Sequence, residues 1–92
     1  MKHKINIKDL KNFVKEIELA GSYGRGENKS LVASVDVNTQ TVKFIVYNNR
    51  EIVAEPSFLE SAIEYYNEIW SNNYSIMKGW LNYAWWEEQI NT

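Results

Sequence analysis

The stretch of this 92-residue chain that most suggests chemistry is Gly-Ser-Tyr-Gly-Arg-Gly-Glu at residues 21–27. A glycine-rich loop can surround a phosphate with backbone N–H groups when its glycines and a following lysine stand at fixed spacings. Neither the dinucleotide-binding spacing nor a Gly-Lys-Ser/Thr ending occurs here. A hairpin loop that uses glycine for its conformational freedom explains the same residues, and we expect that structure.

Residues 21–27 are also similar to the glycine-serine loop of the minimal nucleotidyltransferase family, in which the following strand presents two carboxylates one residue apart. The resemblance implies that both carboxylates hold the magnesium ion that bridges the nucleotide phosphates. The corresponding segment, Ala33-Ser34-Val35-Asp36-Val37, offers only Asp36. One carboxylate cannot hold that metal, so we predict no nucleotidyl transfer.

The sequence lacks the residues that other common catalytic arrangements require. The chain has no cysteine and a single histidine, His3, which excludes Cys/His and Ser/His/Asp nucleophile systems and leaves no zinc ligand set. Acid–base pairs of carboxylates require one buried carboxyl group, and the hydrophobic pattern places the glutamates of the C-terminal half in solvent. We therefore predict a protein that is not an enzyme and needs no cofactor or metal.

Charge is distributed unevenly along the chain. Residues 1–50 carry nine Lys/Arg against five Asp/Glu, whereas residues 51–92 carry one Lys against seven Glu. Glu60, Glu64 and Glu68 follow one another at i, i+4, a spacing at which each like-charge pair costs roughly 0.2–0.5 kcal/mol. Such a stripe can serve solubility alone. The alternative is a ridge that docks on a basic partner, because complementary charge orients the encounter.

The C-terminal tryptophans are the second unusual feature. On a helix drawn from Ser75 to Gln89, Trp80 and Tyr83 fall on the inner arc, whereas Trp85 and Trp86 project away from it. Tryptophan is a preferred interface anchor; burial by the chain end or in a homodimer is the alternative. The predicted partner-binding residues are Glu60, Glu64, Glu68, Trp85, Trp86, Glu87 and Glu88.

The N-terminal segment offers a different binding surface. A helix begun by Asn6 carries an apolar row at helical spacing, formed by Ile7, Leu10, Phe13, Val14 and Ile17. Its other side is basic and could contact phosphates, although Asp9 and Glu16 interrupt the positive charge. The residues of this nucleic-acid-binding alternative are Lys4, Lys8, Lys11 and Lys15.

The remaining pattern predicts a small sheet followed by helices. Residues 31–37 and 41–47 read as a hairpin with a turn at 38–40, residues 51–54 as an edge strand after a turn at 48–49, and residues 18–20 as a candidate fourth strand. A capping box at 57–60 begins a helix that ends near residue 70. We predict one α+β domain over residues 1–92, with an N-terminal helix, an antiparallel meander of three to four strands, and two C-terminal helices packed on the sheet.

This order of elements resembles the Listeria-prophage anti-CRISPR family, small inhibitors of the type II CRISPR effector nuclease. The likeness lies in Ile5-Asn6-Ile7-Lys8-Asp9-Leu10, in Leu19-Ala20-Gly21 before a polar loop, and in the acidic second helix. The resemblance implies a phage-encoded inhibitor whose acidic side chains imitate DNA phosphates. The expected partner is a host protein such as a CRISPR effector nuclease or another nucleic-acid enzyme. With no apolar run near the roughly 20 residues of a membrane span, we expect a cytoplasmic location in a bacterial host.

Overall fold

The structure is a computed structural model, and it describes residues 14–24, 27–71 and 73–91. They form a five-stranded antiparallel sheet with strand order β4-β3-β2-β1-β5 and two α-helices, an α+β architecture as predicted. The elements are β1 (Val14–Gly24), β2 (Glu27–Asp36), β3 (Thr41–Asn48), β4 (Glu51–Ala54), α1 (Leu59–Glu68), β5 (Ile76–Met77) and α2 (Trp80–Asn91). Neither helix has the length and apolarity needed to cross a membrane.

The central hairpin follows from a strict alternation of apolar side chains. Leu31, Ala33 and Val35 point to one face of β2 and are fully buried, because side chains two residues apart share a face of a strand. Phe44 and Val46 of β3 lie directly opposite Ala33 and Leu31. These five side chains form the middle of the core, and the predicted hairpin is confirmed.

The predicted N-terminal helix is wrong over its last turn. Val14 and Ile17 belong to β1, where they pair with Asp36 and Ala33 of β2. The earlier part of that helix, residues 6–13, lies outside the described residues. Pairing with β2 provides the backbone of β1 with a ladder of hydrogen bonds over eleven residues, and such nonlocal satisfaction of backbone groups overrides a local helical period.

Polar residues set the two turns at the opposite ends of β3. Asp36 accepts hydrogen bonds through Oδ1 from the backbone N–H of Asn38 at 2.9 Å and of Thr39 at 3.4 Å. Asn49 and Arg50, with φ of 51° and 72°, join β3 to β4 as a two-residue turn of left-handed residues. That turn lies one residue later than predicted. The lone carboxylate of the segment 33–37 therefore orders a turn.

Both helices pack on the same face of the sheet. Ala62 and Tyr66 of α1 and Tyr83 of α2 are buried in one cluster with the inward side chains of β1, β2 and β3. The ring of Tyr83 meets the ring of Phe44 edge to face, with centroids 5.8 Å apart. The prediction that the two C-terminal helices pack on the sheet is confirmed. The capping box predicted at 57–60 is absent, since Phe58 occupies the N-cap without a side-chain cap hydrogen bond.

A short strand replaces the start of the predicted last helix. Ile76 and Met77 pair with Gly21 and Ala20 of β1, and the N–H of Lys78 donates to the carbonyl of Leu19 at 2.9 Å. Residue 79 is glycine with φ of 74°, and a side chain there would collide with the backbone of β1. The helix α2 consequently begins at residue 80 rather than 75, which changes the side chains that it turns inward.

Candidate functional site

The outward face of α1 carries the acidic stripe, defined as Glu60, Glu64 and Glu68. All three side chains are exposed, and they lie opposite the buried Ala62 and Tyr66. The spacing of four residues places the three carboxylates one above another along the helix. The structure thus presents the stripe to solvent as the sequence predicted.

No cation within the described part of the chain neutralises the acidic stripe. The ion pairs there join Lys43 to Glu55 at 3.3 Å and Lys78 to Glu18. The last turn of α1 contains no basic residue, and Glu68 lies at this negative end of the helix dipole. The result is a ridge of negative charge along the length of α1.

The tryptophan pair of α2 divides between surface and core. Trp85 has 38% of its surface exposed, whereas Trp86 has 7% and belongs to the core cluster. The rings stand perpendicular with centroids 4.8 Å apart, so Trp86 holds Trp85 in place at the surface. The prediction that Trp86 is an exposed anchor is wrong. The helix begins five residues later than the projection assumed, and its buried side carries both Tyr83 and Trp86.

The outward face of α2 combines apolar and acidic groups. Leu81 is 90% exposed and stands four residues before Trp85, while Glu88 follows at the next turn. The predicted contact residue Glu87 is exposed, and its negative charge acts on the buried Tyr83. Burial, together with the negative charge of Glu87, raises the pKa of Tyr83 above its ordinary value. Leu81, Trp85 and Glu88 therefore form the contact row of α2.

The segment between the helices adds large exposed side chains to the surface. Trp70 is 70% exposed, and Ile76 and Met77 are also exposed. The two helices were predicted to end near residue 70 and to begin at residue 75, but α1 ends at Glu68 and residues 76–77 form β5. The polar run at residues 71–73 was the signal that the helical period ends there.

A buried lysine positions the end of α1 and was missed by the sequence reasoning. Lys29 of β2 is 8% exposed, and its Nζ donates to the carbonyl oxygens of Tyr66 and Ile69, each at 2.9 Å. The same nitrogen lies 4.1 Å from the centroid of the Tyr66 ring. Burial lowers the pKa of Lys29. The signal in the sequence is its position two residues before Leu31, on the inward face of the strand.

The glycine-serine segment has a structural role. Gly21, Ser22 and Gly24 belong to β1 rather than to a loop. The buried hydroxyl of Ser22 donates to the carbonyl of Asn73 at 3.0 Å and shares a hydrogen bond with the hydroxyl of Ser71 at 2.9 Å. The hydroxyl thus fastens the segment after α1 to the sheet and does not face solvent.

Of the four lysines predicted to bind nucleic acid, the structure describes one, Lys15. Lys15 is exposed but lies in β1, so the helical face predicted to align it with Lys11 does not reach it. Lys4, Lys8 and Lys11 lie outside the described residues. Within the described ranges, no group of three or more His, Asp or Glu side chains is arranged to hold a metal ion.

Comparison with protein-family models, with curated proteins and with solved structures gives no match for this chain. Function must therefore be inferred from the charge, exposure and geometry of the described side chains.

Proposed function

We propose that the protein is a non-catalytic binding module that docks on a basic surface of another protein through the outward faces of α1 and α2. The observation that carries this proposal is the acidic stripe, Glu60, Glu64 and Glu68, exposed and without a neutralising cation among the described residues. A like-charge row at this spacing destabilises its own helix. When the complex forms, positive side chains of a basic partner attract the three carboxylates and offset their mutual repulsion.

Apolar groups on the same side of the molecule complete the binding surface. Leu81 and Trp85 extend from α2, and Trp70 extends from the end of α1. Large exposed apolar side chains supply the area that charge alone does not, because interface energy concentrates in a few desolvated aromatic or aliphatic anchors. Charged and apolar groups together fit a protein partner better than free nucleic acid, whose phosphates the glutamates repel.

Enzymes that act on nucleic acids are the partner class that this surface fits best. Their substrate channels are lined with Lys and Arg side chains that hold phosphates. A helix carrying carboxylates along one face offers the same sign of charge to such a channel. We therefore propose an inhibitor of a bacterial DNA-processing or defence enzyme, in keeping with the anti-CRISPR resemblance in element order, with a phage or other mobile element as its source and the host cytoplasm as its place of action.

The test compares two variants that lose the same charge. The variant Glu60→Gln/Glu64→Gln removes two carboxylates from the stripe, and the control Glu16→Gln/Glu51→Gln removes two exposed carboxylates from the sheet. Each tagged protein is incubated with bacterial lysate, and retained proteins are quantified by mass spectrometry. We expect a basic protein to be retained by the wild type and the control and reduced about tenfold with the stripe variant at low salt.

The purified partner then gives the decisive numbers. Its affinity for the wild type should weaken as salt increases, because the attraction is between charges. A further variant, Leu81→Ala/Trp85→Ala, should accelerate dissociation at all salt concentrations, since anchors act through the dissociation rate. Equal retention of every protein by the stripe variant and its control would refute the proposal. Tight binding to duplex DNA in a gel shift would support the nucleic-acid-binding alternative instead.

A further inference from the structure

A cavity of about 480 Å³ opens where the C-terminal end of α1 meets the ends of β2 and β3. Its wall includes Asn28, Lys29, Asn48, Glu68 and Trp70. The volume falls in the range of roughly 300–1,000 Å³ that is typical of small-molecule sites. The cavity is large enough for one or two sugar-sized rings, and the partner-binding surface does not account for the asparagines in its wall.

The charges of the wall disfavour ionic guests of either sign. Lys29 places an ammonium group in the wall, but two of its protons are donated to the carbonyl oxygens of Tyr66 and Ile69 and its charge lies over the Tyr66 ring. Glu68 contributes a carboxylate at the end of α1. An anion would meet the carboxylate and a cation would meet the ammonium, so the wall favours a neutral guest.

The remaining polar groups of the wall suit a guest with several hydroxyl groups. The side-chain amides of Asn28 and Asn48 each offer two N–H donors and one acceptor oxygen. The carboxylate of Glu68 accepts from two hydroxyls at once. The backbone beside them is held in place, because the N–H of Asn28 donates to Oδ1 of Asn49 at 3.0 Å and the N–H of Asn49 donates to the carbonyl of Asn28 at 2.6 Å. A backbone that is already ordered lowers the cost of ordering when a ligand binds.

Trp70 adds an apolar surface to this polar wall. Its side chain is 70% exposed and lines the cavity. An exposed indole is a flat apolar platform with one N–H donor at its edge. A pyranose ring matches this combination, because it presents aliphatic C–H groups on one face and hydroxyls around its rim.

We propose that the cavity between α1 and the β2–β3 end binds a neutral hexopyranoside, stacked on Trp70 and held by hydrogen bonds to Asn48 and Glu68. Glu68 and Trp70 also belong to the partner-binding surface proposed above, whereas Asn48 does not. Loss of sugar binding in an Asn48→Ala variant that still binds the protein partner therefore distinguishes the two proposals.

The test uses methyl glycosides of glucose, galactose, mannose and N-acetylglucosamine with the full-length chain. Saturation-transfer NMR reports which glycoside contacts the protein, and titration of the ¹⁵N-labelled protein reports which side-chain N–H groups respond. We expect at least one glycoside to bind with a Kd in the range of roughly 1–10 mM and to shift the Trp70 indole and Asn48 amide signals.

Three variants complete the test. Trp70→Ala and Asn48→Ala should each weaken binding about tenfold or more, since each loses the platform or a bidentate contact. Tyr65→Ala removes another exposed aromatic side chain of α1 and should leave the Kd unchanged. Absence of transfer from all four glycosides at about 20 mM would overturn the proposal. Binding that survives Trp70→Ala, or a response of the same signals to inorganic phosphate or N-acetyl-arginine amide but to no glycoside, would also overturn it.

Discussion

Replacing Lys29 by Met tests how the end of α1 is attached to the sheet. Methionine keeps the length and apolar body of the lysine side chain but removes its ammonium group. The substitution deletes two hydrogen bonds of 2.9 Å to the carbonyl oxygens of Tyr66 and Ile69 and the contact with the Tyr66 ring. Those carbonyls lie at the end of α1, where a helix leaves carbonyls without their usual donors, and the only backbone donor near them is the N–H of Ile69, 3.3 Å from the Tyr66 oxygen, among the described residues.

The size of the effect follows from opposing contributions. Each hydrogen bond from a charged donor contributes about 1.5–3 kcal/mol, and a cation at a helix C-terminus contributes about 0.3–2 kcal/mol. Burial of the ammonium opposes these gains, as the lowered pKa of Lys29 indicates, because removing a charge from water costs several kcal/mol. We expect a net loss of about 2–4 kcal/mol, a large share of the roughly 5–14 kcal/mol that a 92-residue domain has in total.

Urea unfolding followed by circular dichroism and tryptophan fluorescence measures this loss. With a slope of about 2 kcal/mol per M, within the usual range of about 1–3, the unfolding midpoint should fall by roughly 1–2 M. The matched control is Lys43→Met, the same substitution on the neighbouring strand at an exposed pair with Glu55. Exposed ion pairs contribute at most about 1 kcal/mol, so the midpoint of the control should stay near that of the wild type.

The comparison of the two methionine variants decides the argument about Lys29. Equal unfolding midpoints for Lys29→Met and Lys43→Met would show that the carbonyls at the end of α1 need no ammonium donor. A Lys29→Met protein more stable than the wild type would show that the cost of burying the charge exceeds its hydrogen bonds. Either result would refute the reasoning.

Three further predictions concern single side chains. Gly79→Ala should lower the melting temperature by about 10 °C or more, because the φ of 74° and the nearby backbone of β1 both exclude a side chain at this position. The control is Gly21→Ala, whose new methyl group meets the movable ring of Tyr23. The control should lower the melting temperature by less than half as much. Ser22→Val should cost about 1–3 kcal/mol in urea unfolding, because it leaves the partly buried carbonyl of Asn73 without the Ser22 donor. An unchanged midpoint would argue against that role. Tyr83→Phe should reduce the loss of stability between pH 9 and 11. In the wild type the raised pKa keeps the folded tyrosine protonated after the unfolded one ionises near 10.0, so stability falls as pH rises through the folded pKa. Identical pH profiles for the wild type and the variant would contradict this.

The parts of the fold that were predictable depend on local pattern. The alternation from Leu31 to Val46 has a period of two that no helix can satisfy, so the hairpin followed directly. The exposure of the acidic stripe followed from its position opposite Ala62 and Tyr66 in a helix with a clear apolar side. The order of the meander strands before the C-terminal helices, and hence the α+β class, followed from the same local signals, whereas the strand β5 between the two helices did not.

The parts that failed depend on distant partners. The apolar residues Val14 and Ile17 have helical spacing, yet residues 14–17 form part of β1 because their backbone pairs with β2. The local pattern predicts a helix at residues 76–77, yet these residues form β5 because they pair with β1. In each case a hydrogen-bond ladder formed by distant residues outweighed a weak local preference.

The uneven charge, the central hairpin and the side of α1 that faces solvent all follow from residues a few positions apart, and each can be read from the sequence. The burial of Trp86 and the exposure of Trp85 depend on tertiary contacts, since β5 and Gly79 determine where α2 begins and therefore which side chains it turns inward. The tertiary structure also placed the ammonium of Lys29 beneath the end of α1 and formed the cavity beside Trp70. These features bring together residues about forty positions apart, and no local period of a sequence encodes contacts over that distance.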